Sequence, residues 1–189
     1  VDERRGAIER RAGDRDLELA RQVRELRMQR RPLAHDLAAH ERIDDLVGRG
    51  ATEVKTNADL ARASDIVILC VTGAPQVEEV VFGPDGVASA ARPGTIVVDT
   101  STSEPATTAK MREALAKQDV RFVDAPLART PVEAEQGRLN TMVGADDATF
   151  AELKPVFAAY CENIVHAGPP GHGIVLKLIN NFIAQAICT

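Results

Sequence analysis

Lys177 has the setting most at odds with its charge, flanked by Ile174, Val175, Leu176, Leu178 and Ile179. Asn181 lies at i+4, so on a helix the two side chains share a face. Asn180 points elsewhere, since successive helical residues are turned by about 100°. An ammonium on an apolar helix either snorkels to water or is held for use, and desolvation lowers its pKa toward the range of a proton donor. A second group is the run Asp124-Ala125-Pro126-Leu127-Ala128-Arg129-Thr130-Pro131, a strand end passing into a loop. Arg129 is there either as a surface charge or for bidentate capture of a carboxylate, sulfonate or phosphate. In the third group, Asp99-Thr100-Ser101-Thr102, small hydroxyls and backbone N–H groups could approach a ribose or phosphate, or cap the helix that follows.

Other chemistries find no support in the spacing. His35, His40, His166 and His172 stand in no metal-ligand pattern with Cys or paired carboxylates, and no Gly-x-Ser-x-Gly elbow occurs. His172 reads as a satisfied histidine in the loop leading into the last helix. Cys70, Cys161 and Cys188 are odd in number and lie in apolar stretches, so they are expected to be reduced core thiols of a cytoplasmic protein. The 189 residues are 44% hydrophobic and 27% charged, an ordinary globular composition, and the net charge of −5 with no Trp leaves no footprint for nucleic acid. The apolar runs 66–72 and 174–188 are too short or too broken for a membrane span, and no leader is expected.

These groups need elements to place them. From residue 34 onward, short β-branched runs alternate with helical stretches. Strands are expected at 66–71, 95–98, 120–123, 139–143 and 164–166, with a short edge near 52–54. The run Ile66 to Val71 has the texture of a parallel strand buried on both faces. Helices are expected at 41–48, 57–62, 75–81, 104–117, 132–136, 147–160 and 171–189, with Ser103 as the N-cap of the fourth and Pro105 in its first turn. Such alternation predicts a doubly wound α/β sheet with ligands at the carboxyl ends of its strands. The last helix is apolar around its whole circumference, which calls for partners on all sides. Residues 1–31 differ from the rest: they hold ten Arg, seven acids and no Lys, and 16–29 reads as one exposed amphipathic helix.

Three motifs in order, DTSTSEP at 99–105, DAPLARTPVEAEQGRLNTMVG at 124–144 and AGPPGHGIVLKLINN at 167–181, resemble the β-hydroxyacid dehydrogenases. The resemblance runs from about His35 to the C-terminus. It implies a Rossmann-like domain, related to the NAD-binding domain of 6-phosphogluconate dehydrogenase, that serves an NAD(P)-dependent oxidoreductase. Such an enzyme interconverts a small 3-hydroxy acid and its semialdehyde. By resemblance, Lys177 is the general acid or base and Asn181 orients the substrate hydroxyl. Thr102 contacts the nicotinamide ribose region, and Val71, Thr72 and Gln76 line the cofactor. Asp36 matches the acid that holds the adenosine ribose, favouring NAD over NADP. Ala128, Arg129 and Thr130 stand where the common pattern has Ser-Gly-Gly. An Arg-Thr pair there is similar to the sulfolactaldehyde reductase branch, which makes Arg129 an anchor for a carboxylate or sulfonate.

The same resemblance frames the domains. Residues 34–168 are expected to be the cofactor-binding domain, and 169–189 the start of an interdomain helix. That helix would lead to an absent C-terminal helical domain, through which a homo-oligomer forms. Residues 1–33 are expected to be atypical, because they contain only Gly6 and Gly13 in place of the family's Gly-x-Gly-x-x-Gly turn, so the first βα unit of the sheet is incomplete. A competing reading is a non-catalytic remnant that no longer binds the dinucleotide and offers its last helix as a docking surface.

Overall fold

A computed structural model describes residues 39–188, with side-chain surroundings from residue 44. Asp36, the segment 1–33 and its expected helix at 16–29 lie outside the described residues. Helices α1 (Ala39–Gly48) and α2 (Asn57–Ala63) precede strand β1 (Ile66–Leu69). Thr56 caps α2 by accepting the Asp59 N–H at 3.0 Å. Then come α3 (Ala74–Phe82), β2 (Ile96–Asp99), α4 (Pro105–Ala116) and β3 (Arg121–Asp124). The rest of the chain gives β4 (Leu127–Ala128), α5 (Pro131–Glu135), β5 (Leu139–Gly144), α6 (Asp147–Ala158), β6 (Cys161–Gly168) and α7 (His172–Ile187).

The expected α/β sheet with helices on both faces is present, and it ends in a long helix. β1, β2 and β3 are parallel, with Leu69 opposite Asp99 and Asp99 opposite Asp124. Successive strand residues point to opposite faces, and each face has its own core. On one, Val67, Leu69, Val97 and Phe122 meet Val77 and Val81 of α3 and Met111 and Leu115 of α4. On the other, Ile96, Val98, Val123 and Val143 meet Leu153 and Phe157 of α6. Each of these fully buried side chains contributes about 1.5–3 kcal/mol relative to exposure.

Several details differ from the reading of the sequence. The sheet is mixed: β5 runs antiparallel to β3 and to β4, and parallel to β6. β4, only two residues long, carries no periodicity to announce it. Residues 52–54 form no strand. β1 is not buried on both faces: Ile68 is 42% exposed, and among the described residues β2 is its one strand neighbour. Glu104, rather than Ser103, holds the N-cap position of α4, and the buried Ser103 hydroxyl has no hydrogen-bond partner. Of the three free thiols only Cys161 is buried, whereas Cys70 and Cys188 are exposed, because one follows a strand end and the other the last helix. The apolar circumference of α7 is as expected, with Ile174 buried inside and Phe182 and Ile187 at 72% and 79% exposure outside.

Candidate functional site

The register of the three parallel strands puts their carboxyl ends level, at Leu69, Asp99 and Asp124. The residues beyond them knit these ends together. Thr100 donates its N–H to the Leu69 carbonyl at 2.8 Å and its hydroxyl to the same oxygen at 2.6 Å. Val71 donates its N–H to Ser101 Oγ at 2.9 Å, and Ser101 donates its own N–H to Asp99 Oδ1 at 2.9 Å. Burial raises the Asp99 carboxyl above its ordinary range, opposed by these Ser101 bonds. Asp99, Thr100 and Ser101 are therefore buried structural groups. Thr102 is turned outward and exposed, as are Thr72 and Gln76, while Val71 is half-buried. Two hydroxyls and an amide thus stand at the open carboxyl edge of β1 and β2, where a sheet of this class takes its ligands.

The opposite side of this edge is closed by the first turn of α7. Asp124 Oδ1 accepts the Gly171 N–H at 2.6 Å and Oδ2 accepts the Ile174 N–H at 2.8 Å. Burial raises this carboxyl, and the two N–H bonds oppose the rise. Gly173 allows the helix to sit directly on the sheet backbone, since a Cβ there would lie 2.3 Å from the Met142 carbonyl oxygen and 2.7 Å from that of Asp124. Gly144 leaves room for the carboxylate, from which a Cβ would be only 2.5 Å. Arg112 on α4 adds a tether, donating from Nη1 to the Pro170 carbonyl at 2.9 Å.

Beyond that anchored turn, Ile174 is buried and Lys177 is 8% exposed. Most of the side chain is thus covered by protein. Desolvation lowers its pKa below the ordinary lysine value, with no acidic group counteracting it. Asn181 follows at i+4 and is half-buried, whereas Asn180 is exposed. The pair expected from the spacing is brought to one face of α7.

The loop residues have partners of their own. Ala128 pairs with Asn140 across β4 and β5. Thr130 caps α5 in a reciprocal box with Glu133, its N–H donating to Oε2 at 3.0 Å. Arg129 has φ +87, in the left-handed region that favours glycine. Its guanidinium pairs with Glu162 and also donates to the Arg138 carbonyl at 2.5 Å. Arg138 Nε reaches the same carboxylate at 3.3 Å. The Arg129 bond, chiefly, holds Glu162 below the ordinary glutamate range. Asp124 and its two glycines were not singled out as site residues, because nothing in the local sequence pairs an acid with backbone 47 positions away. The Pro169-Pro170-Gly171-His172-Gly173 run is the signal that could have suggested a special approach.

Among the described residues, no group of three His, Cys, Asp or Glu is arranged to hold a metal, and no helix is long and apolar enough to cross a membrane. Residues 31–168 match the model of the NAD binding domain of 6-phosphogluconate dehydrogenase. The chain belongs to this family. Relatives within reach include 2-(hydroxymethyl)glutarate dehydrogenase of Eubacterium barkeri, 38% identical over 138 residues, which are 73% of this chain and 46% of that protein. The 2-hydroxy-3-oxopropionate reductase of Escherichia coli (strain K12) is 36% identical over 140 residues, 74% of this chain and 48% of that one. The crystal structure of 3-hydroxyisobutyrate dehydrogenase (ygbJ) from Salmonella typhimurium superposes with a TM-score of 0.72 at 29% identity, covering 89% of this chain and 59% of that one. This member of the family thus spans about half the length of the curated relatives it matches. The sheet and closing helix seen here are the fold they share.

Proposed function

We propose that this chain forms the cofactor-binding domain and proton-donating helix of an NAD(P)-dependent oxidoreductase acting between a small 3-hydroxy acid, or its sulfonate analogue, and the semialdehyde. The single observation that carries the reading is Lys177, a lysine mostly covered by protein and of lowered pKa, on a helix pinned to the carboxyl edge of the sheet. The family is an NAD-binding one, and the exposed Thr72, Gln76 and Thr102 at the ends of β1 and β2 suit the nicotinamide end of a dinucleotide. Val71 would line it from β1, and Asp36 would select NAD. When bound, the cofactor supplies or accepts the hydride.

The chain's own groups handle the substrate and its proton. As the aldehyde carbon gains hydride, Lys177 Nζ gives a proton to the oxygen that becomes the hydroxyl, and in the reverse direction it takes that proton back. Asn181, one turn on, holds the same oxygen in place. Arg129, with Ala128 and Thr130 beside it, binds the acid end of the substrate; an arginine kept in glycine's backbone conformation supports a role beyond packing. Because Glu162 already holds the guanidinium, the substrate anion exchanges with that carboxylate. Residues 34–168 are the cofactor domain and 169–189 begin the helix to a further helical domain, which would cover the apolar outer face of α7 and form the homo-oligomer. Three free thiols, two of them exposed, favour the reducing conditions of the cytoplasm.

The test is Lys177→Ala in the full-length protein, assayed for aldehyde reduction with NADH and NADPH. The expected result is a loss of about 10²–10⁴-fold in kcat, the usual worth of a positioned acid, with cofactor affinity nearly unchanged. Full activity in that variant sinks the assignment. Reduction should also decline as pH rises through the lowered Lys177 pKa, since the donor must be protonated, while oxidation should rise over the same range.

A further inference from the structure

Asp124 contributes nothing to the proton transfer proposed above, yet its carboxylate is spent entirely on α7. The N-cap residue of that helix, Gly171, has no side chain to offer, so two of the helix's unpaired N–H groups go to an acid from another element. Gly144 brings backbone up against the carboxylate, and Gly173 lies against the main-chain carbonyl of Asp124. Lys177 follows Ile174 by three residues, one helical turn beyond the bond to Oδ2. The other charged groups around the clasp are Asp99, opposite Asp124 on β2, and Arg112 of α4, which holds the neighbouring Pro170 carbonyl. β5 brings the backbone of Met142 and Gly144 up against Gly173 of the helix.

We infer that Asp124 is a positioning residue, fixing the first turn of α7 to the end of β3 through the Gly171 and Ile174 N–H groups and so setting where Lys177 stands. The inference rests on the reading of Lys177 as proton donor. It goes beyond that reading by naming what determines the donor's place.

The experiment is Asp124→Asn in the full-length protein, which turns one acceptor oxygen into an NH2 facing an N–H. Amide exchange at Gly171 and Ile174 should quicken by about tenfold or more, the worth of one lost bond. kcat should fall on the order of a hundredfold, as for a reacting group displaced by about an ångström, with KM for the cofactor within about twofold. The pH limb assigned to Lys177 should move upward, because a loosened turn relieves part of the desolvation of that side chain. A folded variant with unchanged exchange at both amides, or with a lowered kcat and an unmoved limb, overturns the inference. Should the variant fail to fold, the wild-type protein decides: the Gly171 and Ile174 amide protons should titrate together with one carboxyl group, and independent or absent titration overturns the clasp. Full activity in Lys177→Ala overturns the underlying reading instead, and the two failures are separable because amide exchange does not depend on turnover.

Discussion

The two sides of the sheet's carboxyl edge are built on different terms. Beyond β1 and β2, hydroxyl and backbone groups tie the strand ends to each other and leave Thr72, Gln76 and Thr102 facing water. Beyond β3, a carboxylate, two glycines and an arginine tether seize a helix whose lysine lies mostly under protein. A ligand that enters and leaves needs exposed groups on a rigid rim. A proton donor needs a fixed place and a low dielectric, which burial supplies at the cost of desolvating a charge. On the function proposed here, exposure goes with the binding side and burial with the chemical side.

Paired variants sharpen or break that division. Lys177→Ala should act on kcat alone, by the factor given above, whereas Thr102→Val on the exposed side should raise KM for the cofactor by about tenfold, one hydrogen bond's worth. Equal effects of both on the same parameter would erase the distinction. Gly173→Ala comes next. Its methyl cannot fit against the Met142 and Asp124 carbonyls, so the helix must lift, and a loss of about 1–3 kcal/mol in a denaturant melt is expected. An unaltered midpoint would show that the turn is not seated as described. Arg129→Gly should gain about 1 kcal/mol of stability by relieving a left-handed backbone, while raising KM for the anionic substrate; a variant that loses stability shows that the Glu162 pair outweighs the strain.

The smallest effect concerns pH. A lysine whose folded pKa is lowered carries a penalty that is complete below that pKa and vanishes above the unfolded value, 10.5. Lys177→Met should therefore raise Tm by about 2 °C at neutral pH, and the advantage should shrink as pH rises through the lowered pKa. A constant difference across that range would mean that the ammonium is not desolvated.

How much of this was legible in the sequence depended on whether the signal was local. Lys177 and Asn181 could be paired because helical spacing alone puts them together, and β1, β2 and β3 because apolar runs of that length between helices make buried strands. The fold class followed from the same alternation. Ser103 was misread because a hydroxyl before Pro105 resembles a cap, whereas the chain begins its helix one residue later and buries that hydroxyl. β4 escaped because two residues have no period. Asp124 escaped as a positioning group because its partners are backbone N–H groups, which every sequence contains everywhere. The resemblance singled out Arg129 but gave no sign of Glu162, which lies 33 residues further on and reaches the guanidinium only once β6 is placed.

The span closed by the Asp124 clasp contains all of β4, α5, β5, α6 and β6. Joining its two ends carries the entropic cost of a long loop, which the chain recovers only after the strands between have paired and packed. No local segment can shelter Lys177 by itself. A nascent or half-unfolded chain therefore carries an ordinary, solvated lysine, and the lowering of its titration is expected to set in only as β3, β5 and α7 assemble.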